Sequence, residues 1–173
     1  DEHVWLSFHN AQALVQAIAD TLAEADPDNA AAYQANAAAY IEKLAALDAR
    51  YADMVAQAEY KTVLFGDRFP FRYLVDDYGL TYYAAFVGCS AETEASFETI
   101  VFLAQKVDEL SLPAVLTIEG GNTRIAQTIV SSTAAKDQKI LTMNSLQGKP
   151  ADGETYLSVM ESNLAVLHEA LNK

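Results

Sequence analysis

The chain has 173 residues, enough for one domain with a buried core, and 51% of them are apolar, which excludes a disordered chain. A formal net charge of −13, from 24 acids against 11 bases, excludes a nucleic-acid partner, because no basic surface is available to neutralise phosphates. The single cysteine, Cys89, excludes an internal disulfide, and no apolar run approaches the roughly 20 residues of a membrane-spanning helix.

The chain opens on Asp1-Glu2-His3-Val4-Trp5-Leu6-Ser7-Phe8-His9. A metal-capable histidine sits at the edge of the chain, so a site built on it is expected to be incomplete and poorly preorganised. Ser7 can cap a first helix, on which Leu14, Ile18 and Leu22 repeat along one face. An apolar face exposed there could pair with another surface. Asp26-Pro27 ends that helix and starts a second. The second carries a seam at Tyr33, Ala37, Tyr40, Leu44, Leu47, Tyr51, Met54 and Ala58, the spacing of a long packed helix.

After Tyr60 the period changes. Short β-prone runs at 62–65, 81–84, 114–118 and 139–143 alternate with helical patterns. Those patterns are centred on Leu74-Val75, on Ile100 to Val107, on Ile125 to Val130, and on a last stripe of Leu157, Met160, Leu164, Leu167 and Leu171. The expected fold is α/β: long linker helices followed by a four-stranded parallel sheet covered by helices on both faces.

In such a sheet, ligands bind beyond the carboxyl ends of the strands. Four loops qualify: Gly66-Asp67-Arg68-Phe69-Pro70, the stretch from Gly88 to Glu94, Glu119-Gly120-Gly121-Asn122 and Asn144-Ser145-Leu146-Gln147. They are expected to converge on one rim and to offer Asp67, Glu92, Glu94 and Glu119 as anionic oxygens, with Asn144 as a neutral one. Imidazole with carboxylates suits Zn²⁺ or Mn²⁺. Structural readings stand beside these. Asp67 can cap the next helix, Arg68 can pair with a rim acid, and Glu92 and Glu94 suit a helix N-terminus. His9 and His168 fall on or near helices, where solvated or packing roles are usual. Phosphate-loop, dinucleotide, nucleophile-elbow and His-Glu-x-x-His patterns are absent from the sequence, which favours a binding module over an enzyme.

The order of motifs resembles the substrate-binding proteins of zinc and manganese ABC transporters. The resemblance runs from Asp1-Glu2-His3-Val4-Trp5-Leu6-Ser7 and Asp26-Pro27-Asp28-Asn29 through Gly66-Asp67-Arg68-Phe69-Pro70-Phe71-Arg72-Tyr73 and Asp77-Tyr78-Gly79-Leu80. It continues through Ser90-Ala91-Glu92-Thr93-Glu94, Ile118-Glu119, Ile125-Ala126-Gln127-Thr128 and Thr155-Tyr156-Leu157-Ser158 to Asn163-Leu164. It covers essentially the whole chain.

The resemblance implies two α/β lobes joined by a rigid helix, with metal held between them. Residues 1–25 would be the interlobe linker motif and helix, and 26–173 the C-terminal lobe, with the N-terminal lobe absent. It implies His3 as a metal ligand, with Glu119, Asp67 and Asn144 as the other candidates. Zn²⁺ would be the transported ligand and Mn²⁺ the second choice. The implied partners are a membrane ABC permease and the missing lobe, and the complete protein would be an extracytoplasmic monomer, periplasmic or lipid-anchored. Departures are Gly66, where relatives often carry His, Asn144 near a usual acid, and Glu2, where Pro is common, a change expected to be conservative for the site. The rival expectations are a metal-dependent α/β hydrolase with Glu119 as base beside a His3-bound metal, and a structural or adhesion domain that has lost the metal.

Overall fold

The computed structural model describes residues 1–86 and 95–173. Ser7 caps α1 (Phe8–Ala25), its Oγ accepting a hydrogen bond from the Asn10 amide at 3.1 Å, an arrangement that stabilises a helix by about 1 kcal/mol. A single 3-10 turn at Pro27–Asn29 leads into α2 (Ala30–Gln57). The Asp26 carboxylate anchors that turn by accepting from Asn29 Nδ2 at 2.9 Å and from the Tyr33 hydroxyl at 2.8 Å.

The two helices pack along each other. Phe8, Ala11 and Ala19 are the buried residues of α1, whereas Leu14, Ile18 and Leu22 are 43%, 58% and 43% exposed. Small alanines allow a close helix approach, and the apolar stripe read from the sequence is the outward face. On α2 the predicted seam is largely internal: Ala37, Leu44, Leu47 and Tyr51 are buried, with Val55 beside them. The expected boundary between residues 25 and 26 falls beside the 3-10 turn. Leu6, Phe8 and Ala11 nonetheless share one core with Leu44, Tyr51 and Met160.

The four predicted strands are β1 (Thr62–Phe65), β2 (Thr81–Ala84), β3 (Ala114–Ile118) and β4 (Lys139–Met143). They form one all-parallel sheet in the order β2-β1-β3-β4. The intervening helices are α3 (Arg72–Asp77), α4 (Phe97–Leu110) and α5 (Arg124–Ser132), and α6 (Tyr156–Ala170) follows β4.

Alternation along the strands divides the interior. Val63, Phe65, Ala114, Leu116 and Ile118 join the core that also holds α1, α2, α3 and α6 residues. Leu64 and Val115 point the other way, onto Leu103 and Val107 of α4 and Ala126 and Ile129 of α5. Helices therefore cover both faces, as the near-continuous apolar strands demand. The chain leaves β1 toward β2 on one side and returns to β3 on the other. The crevice between the carboxyl ends of β1 and β3 is thus the topological switch point, where open α/β sheets place ligands.

Candidate metal centre

Three of the four rim loops converge as expected, but they are stitched to one another. Asp67, 7% exposed, follows β1. Its Oδ1 accepts from the Arg68 amide at 2.8 Å, and its Oδ2 accepts from the Ile118 amide, at the end of β3, at 3.3 Å. Its carbonyl accepts from the Phe86 amide at 3.3 Å, tying in the end of β2. The turn after β3 closes over the same carboxylate. Gly120 adopts φ +67°, and a Cβ on Gly121 would lie 2.4 Å from Asp67 Oδ2. The backbone at Gly120 favours glycine, and the approach at Gly121 leaves no room for a side chain.

Glu119 spends both carboxylate oxygens on one neighbour. Oε2 accepts from the Ser145 amide and Oε1 from the Ser145 hydroxyl, each at 2.7 Å. Asn144 turns its Oδ1 back onto the Leu146 amide at 2.8 Å. Its own backbone is gripped by the buried Asn163 of α6, whose Oδ1 accepts from the Asn144 amide and whose Nδ2 donates to the Asn144 carbonyl, both at 2.8 Å. A cleft of about 470 Å³ lies beside these residues, lined in part by Trp5, Glu119, Asn144 and Tyr156. Arg68 is 43% exposed and reaches Asp67 only at 4.0 Å. The stretch with Cys89, Glu92 and Glu94 lies outside the described residues.

Gly66 explains one departure from the expected pattern. A Cβ there would stand 2.6 Å from Ala126 Cα. The strand end is pressed against α5, and a histidine at this position could not be seated without moving that helix.

The N-terminal segment contradicts the expectation of poor preorganisation. His3 is 1% exposed. Asp1 Oδ1 lies 2.6 Å from His3 Nδ1 and also accepts from the His3 amide at 3.0 Å. The segment is pinned to the lobe from three sides. The Tyr73 hydroxyl donates to the Asp1 carbonyl at 2.9 Å, Trp5 Nε1 to the Ser145 carbonyl at 3.1 Å, and the Tyr156 hydroxyl to the Trp5 carbonyl at 2.7 Å. Burial pushes the Tyr156 phenol far up, so it stays a donor across the physiological range. The indole of Trp5 packs on the His3 ring, centroids 5.4 Å apart.

Among the described residues, Asp1, Glu2 and His3 are the one group of metal-capable side chains whose ligand atoms all lie within 4.8 Å of one another. Burial lowers the His3 pKa from its ordinary value, and the Glu2 carboxylate opposes that shift. A buried ring that resists protonation offers a neutral nitrogen, the form a metal binds. The other histidines lie elsewhere. His9, 63% exposed, stands 3.4 Å from both Asp48 and Asp77, and His168 is exposed near the end of α6. The residues that hold His3 in place (Tyr73, Ser145 and Tyr156) were not expected from sequence. They lie 70 or more positions from the segment they grip, and although each falls in a loop or motif read from the sequence, nothing local marks the contact.

The description of the zinc-uptake complex component A, periplasmic (ZnuA), matches residues 1–170. The zinc-binding lipoprotein AdcA of Streptococcus pneumoniae serotype 4 is 35% identical over 174 positions, which cover 100% of this chain and 34% of AdcA. A zinc-bound variant of AdcAII from the same species superposes with a TM-score of 0.84 at 31% identity, over 99% of this chain and 61% of that one. The laminin-binding protein Lbp of Streptococcus pyogenes gives 0.88 at 27% identity, over 99% and 66%. The chain thus spans about a third of AdcA and less than two-thirds of AdcAII. With a family match across nearly its whole length on the parallel sheet and clamped His3 segment described above, the chain belongs to the ZnuA family of periplasmic zinc-uptake components.

Proposed function

We propose that the chain is the C-terminal part of an extracytoplasmic receptor that captures Zn²⁺, with Mn²⁺ as second choice, and delivers it to an ABC permease. The supporting observation is the Asp1–His3 contact at 2.6 Å on a ring that is 1% exposed. A carboxylate at Nδ1 is the outer-shell arrangement that orients and strengthens zinc-binding histidines. Imidazole also favours Zn²⁺ over the harder Mn²⁺.

In this proposal His3 is the anchoring ligand. Glu119, Asp67 and Asn144 border the site. Their oxygens serve the ion only by giving up the amide and hydroxyl donors they now hold, so their main role is to fix the rim loops. A second lobe supplies the rest of a four-coordinate shell, and segment 1–25 lies between the lobes. The receptor acts as a monomer by coordination and release, without bond-making chemistry.

An adhesive role is a second reading, favoured by the TM-score of 0.88 to a laminin-binding protein. Competitive zinc titration of the chain and of His3→Ala tests the receptor. Removing the anchor should weaken zinc by more than about 100-fold, beyond the range of outer-shell changes. Equal affinities for the two chains would remove His3 from the site.

A further inference from the structure

Trp5 is the single tryptophan of the chain, and its indole packs on the His3 ring at 5.4 Å between centroids, tilted by 56°. Its Nε1 donates to the Ser145 carbonyl at 3.1 Å. Where the indole stands therefore depends on where Ser145 stands. Ser145 is 1% exposed, and the residue after it, Leu146, takes φ +59°. A left-handed backbone is unfavourable for a residue with a side chain and persists only where surrounding contacts enforce it. The turn is held from two sides. Asn163 grips Asn144 ahead of it, and Glu119, directly after β3, takes both the amide and the hydroxyl of Ser145 at 2.7 Å.

We propose that Glu119 is a positioning residue for the zinc anchor, acting on the His3 ring through Ser145 and the Trp5 indole and not by touching the ion. The proposal rests on the receptor function above and deepens it. Hydrogen bonds to an ionised acceptor are shorter and about twice as strong as neutral ones, so a carboxylate is suited to hold an unfavourable turn. The relay crosses from the end of β3 to the loop after β4, and from that loop to the N-terminal segment, over 26 and 140 positions of sequence. Asp1 orients the imidazole at Nδ1. Glu119 fixes the aromatic face against which the same ring rests, a second outer-shell contribution to its orientation.

Two substitutions cut the relay at different links. Glu119→Gln keeps one acceptor oxygen, but its amide nitrogen cannot accept from the second Ser145 donor. Trp5→Phe keeps an aromatic ring beside His3 and removes the Nε1 donor. If Glu119 works through Trp5, the second cut removes little that the first has not already removed, and the two losses are not additive. If Glu119 instead binds the ion, or acts on it through its charge alone, its loss adds to that of Trp5→Phe.

Competitive zinc titration of the 173-residue chain, the two single variants and the double variant tests this. Each single variant should lose about tenfold in zinc affinity, the low end of outer-shell changes, and the double variant no more than about threefold beyond either. A larger further loss, toward the product of about a hundredfold, overturns the proposal, as does either single variant staying within about twofold of the unaltered chain. Should Glu119→Gln fail to fold, Ser145→Ala, which keeps the carboxylate–amide bond, forms the same cycle with Trp5→Phe and should show the same non-additivity. The single indole gives a readout that needs no metal. In zinc-free Glu119→Gln, Trp5 should become more accessible to acrylamide quenching, whereas a fastener of the rim loop alone would leave it unchanged and overturn the relay. Failure of the unaltered chain to take up zinc would instead overturn the receptor function, with the quenching comparison still deciding whether Glu119 positions Trp5.

Discussion

At the carboxyl ends of β1 and β3, the acids face inward and meet protein donors: Asp67 the amides of Arg68 and Ile118, Glu119 the amide and hydroxyl of Ser145. In the N-terminal segment, Asp1 and Glu2 are exposed and flank a buried imidazole. Both regions hold carboxylates close to the same rim, yet their chemistry is opposite. A carboxylate whose lone pairs are filled by backbone donors works as a fastener, because a metal must first break those bonds and leave buried N–H groups unpaired. A carboxylate in water, next to a nitrogen held rigid, can bind a cation at the cost of side-chain ordering alone. Topology selects the switch point as the place for ligands, and the local supply of donors decides which acids there are still available.

The comparison breaks most visibly at Asp67. Asp67→Ala should lower stability by about 1–3 kcal/mol through the unpaired Ile118 amide, read as a shift in the denaturant midpoint, while changing zinc affinity of the folded chain little. A variant that keeps its stability and loses zinc would turn Asp67 from a fastener into a ligand.

A smaller effect is expected with pH, and it sharpens the other half of the contrast. Because the folded His3 pKa is depressed by burial, the unfolded chain takes up this proton first as the pH falls. His3 therefore lowers stability below about pH 6.5, and its contribution levels off once the folded ring is protonated too. Zinc binding should weaken over the same acidic range, since proton and metal compete for one nitrogen. His3→Gln should flatten the stability profile between about pH 5 and pH 7; a profile unchanged by that substitution would place the ring in a solvated setting.

Much of the architecture was legible because it is written in short-range periods. The four strands fall where β-prone runs were read, since Val63, Leu64, Phe65 and the Ala114 to Ile118 run have no polar face to offer solvent. The seam of α2 follows the same logic. The first helix was harder. Its leucine stripe is periodic but faces outward, because Ala11 and Ala19 permit a closer contact with α2 than leucine would.

At the site, His3 was identifiable from its motif, and convergence of the strand-end loops followed from topology. The occupation of Asp67 and Glu119 was not readable, because it depends on which amides meet them across gaps of 51 and 26 residues. The grip on His3 was hidden for the same reason, as Tyr156 and Ser145 lie 151 and 140 positions from Trp5.

The most direct test is long-range ¹H–¹⁵N NMR of the His3 ring with and without zinc. The account predicts a ring protonated on Nδ1 in the metal-free chain, facing Asp1, and a large shift of Nε2 on zinc addition while the Asp67 and Glu119 contacts persist. A ring protonated on Nε2, or one that does not respond to saturating zinc while the strand-end loops do, would contradict it.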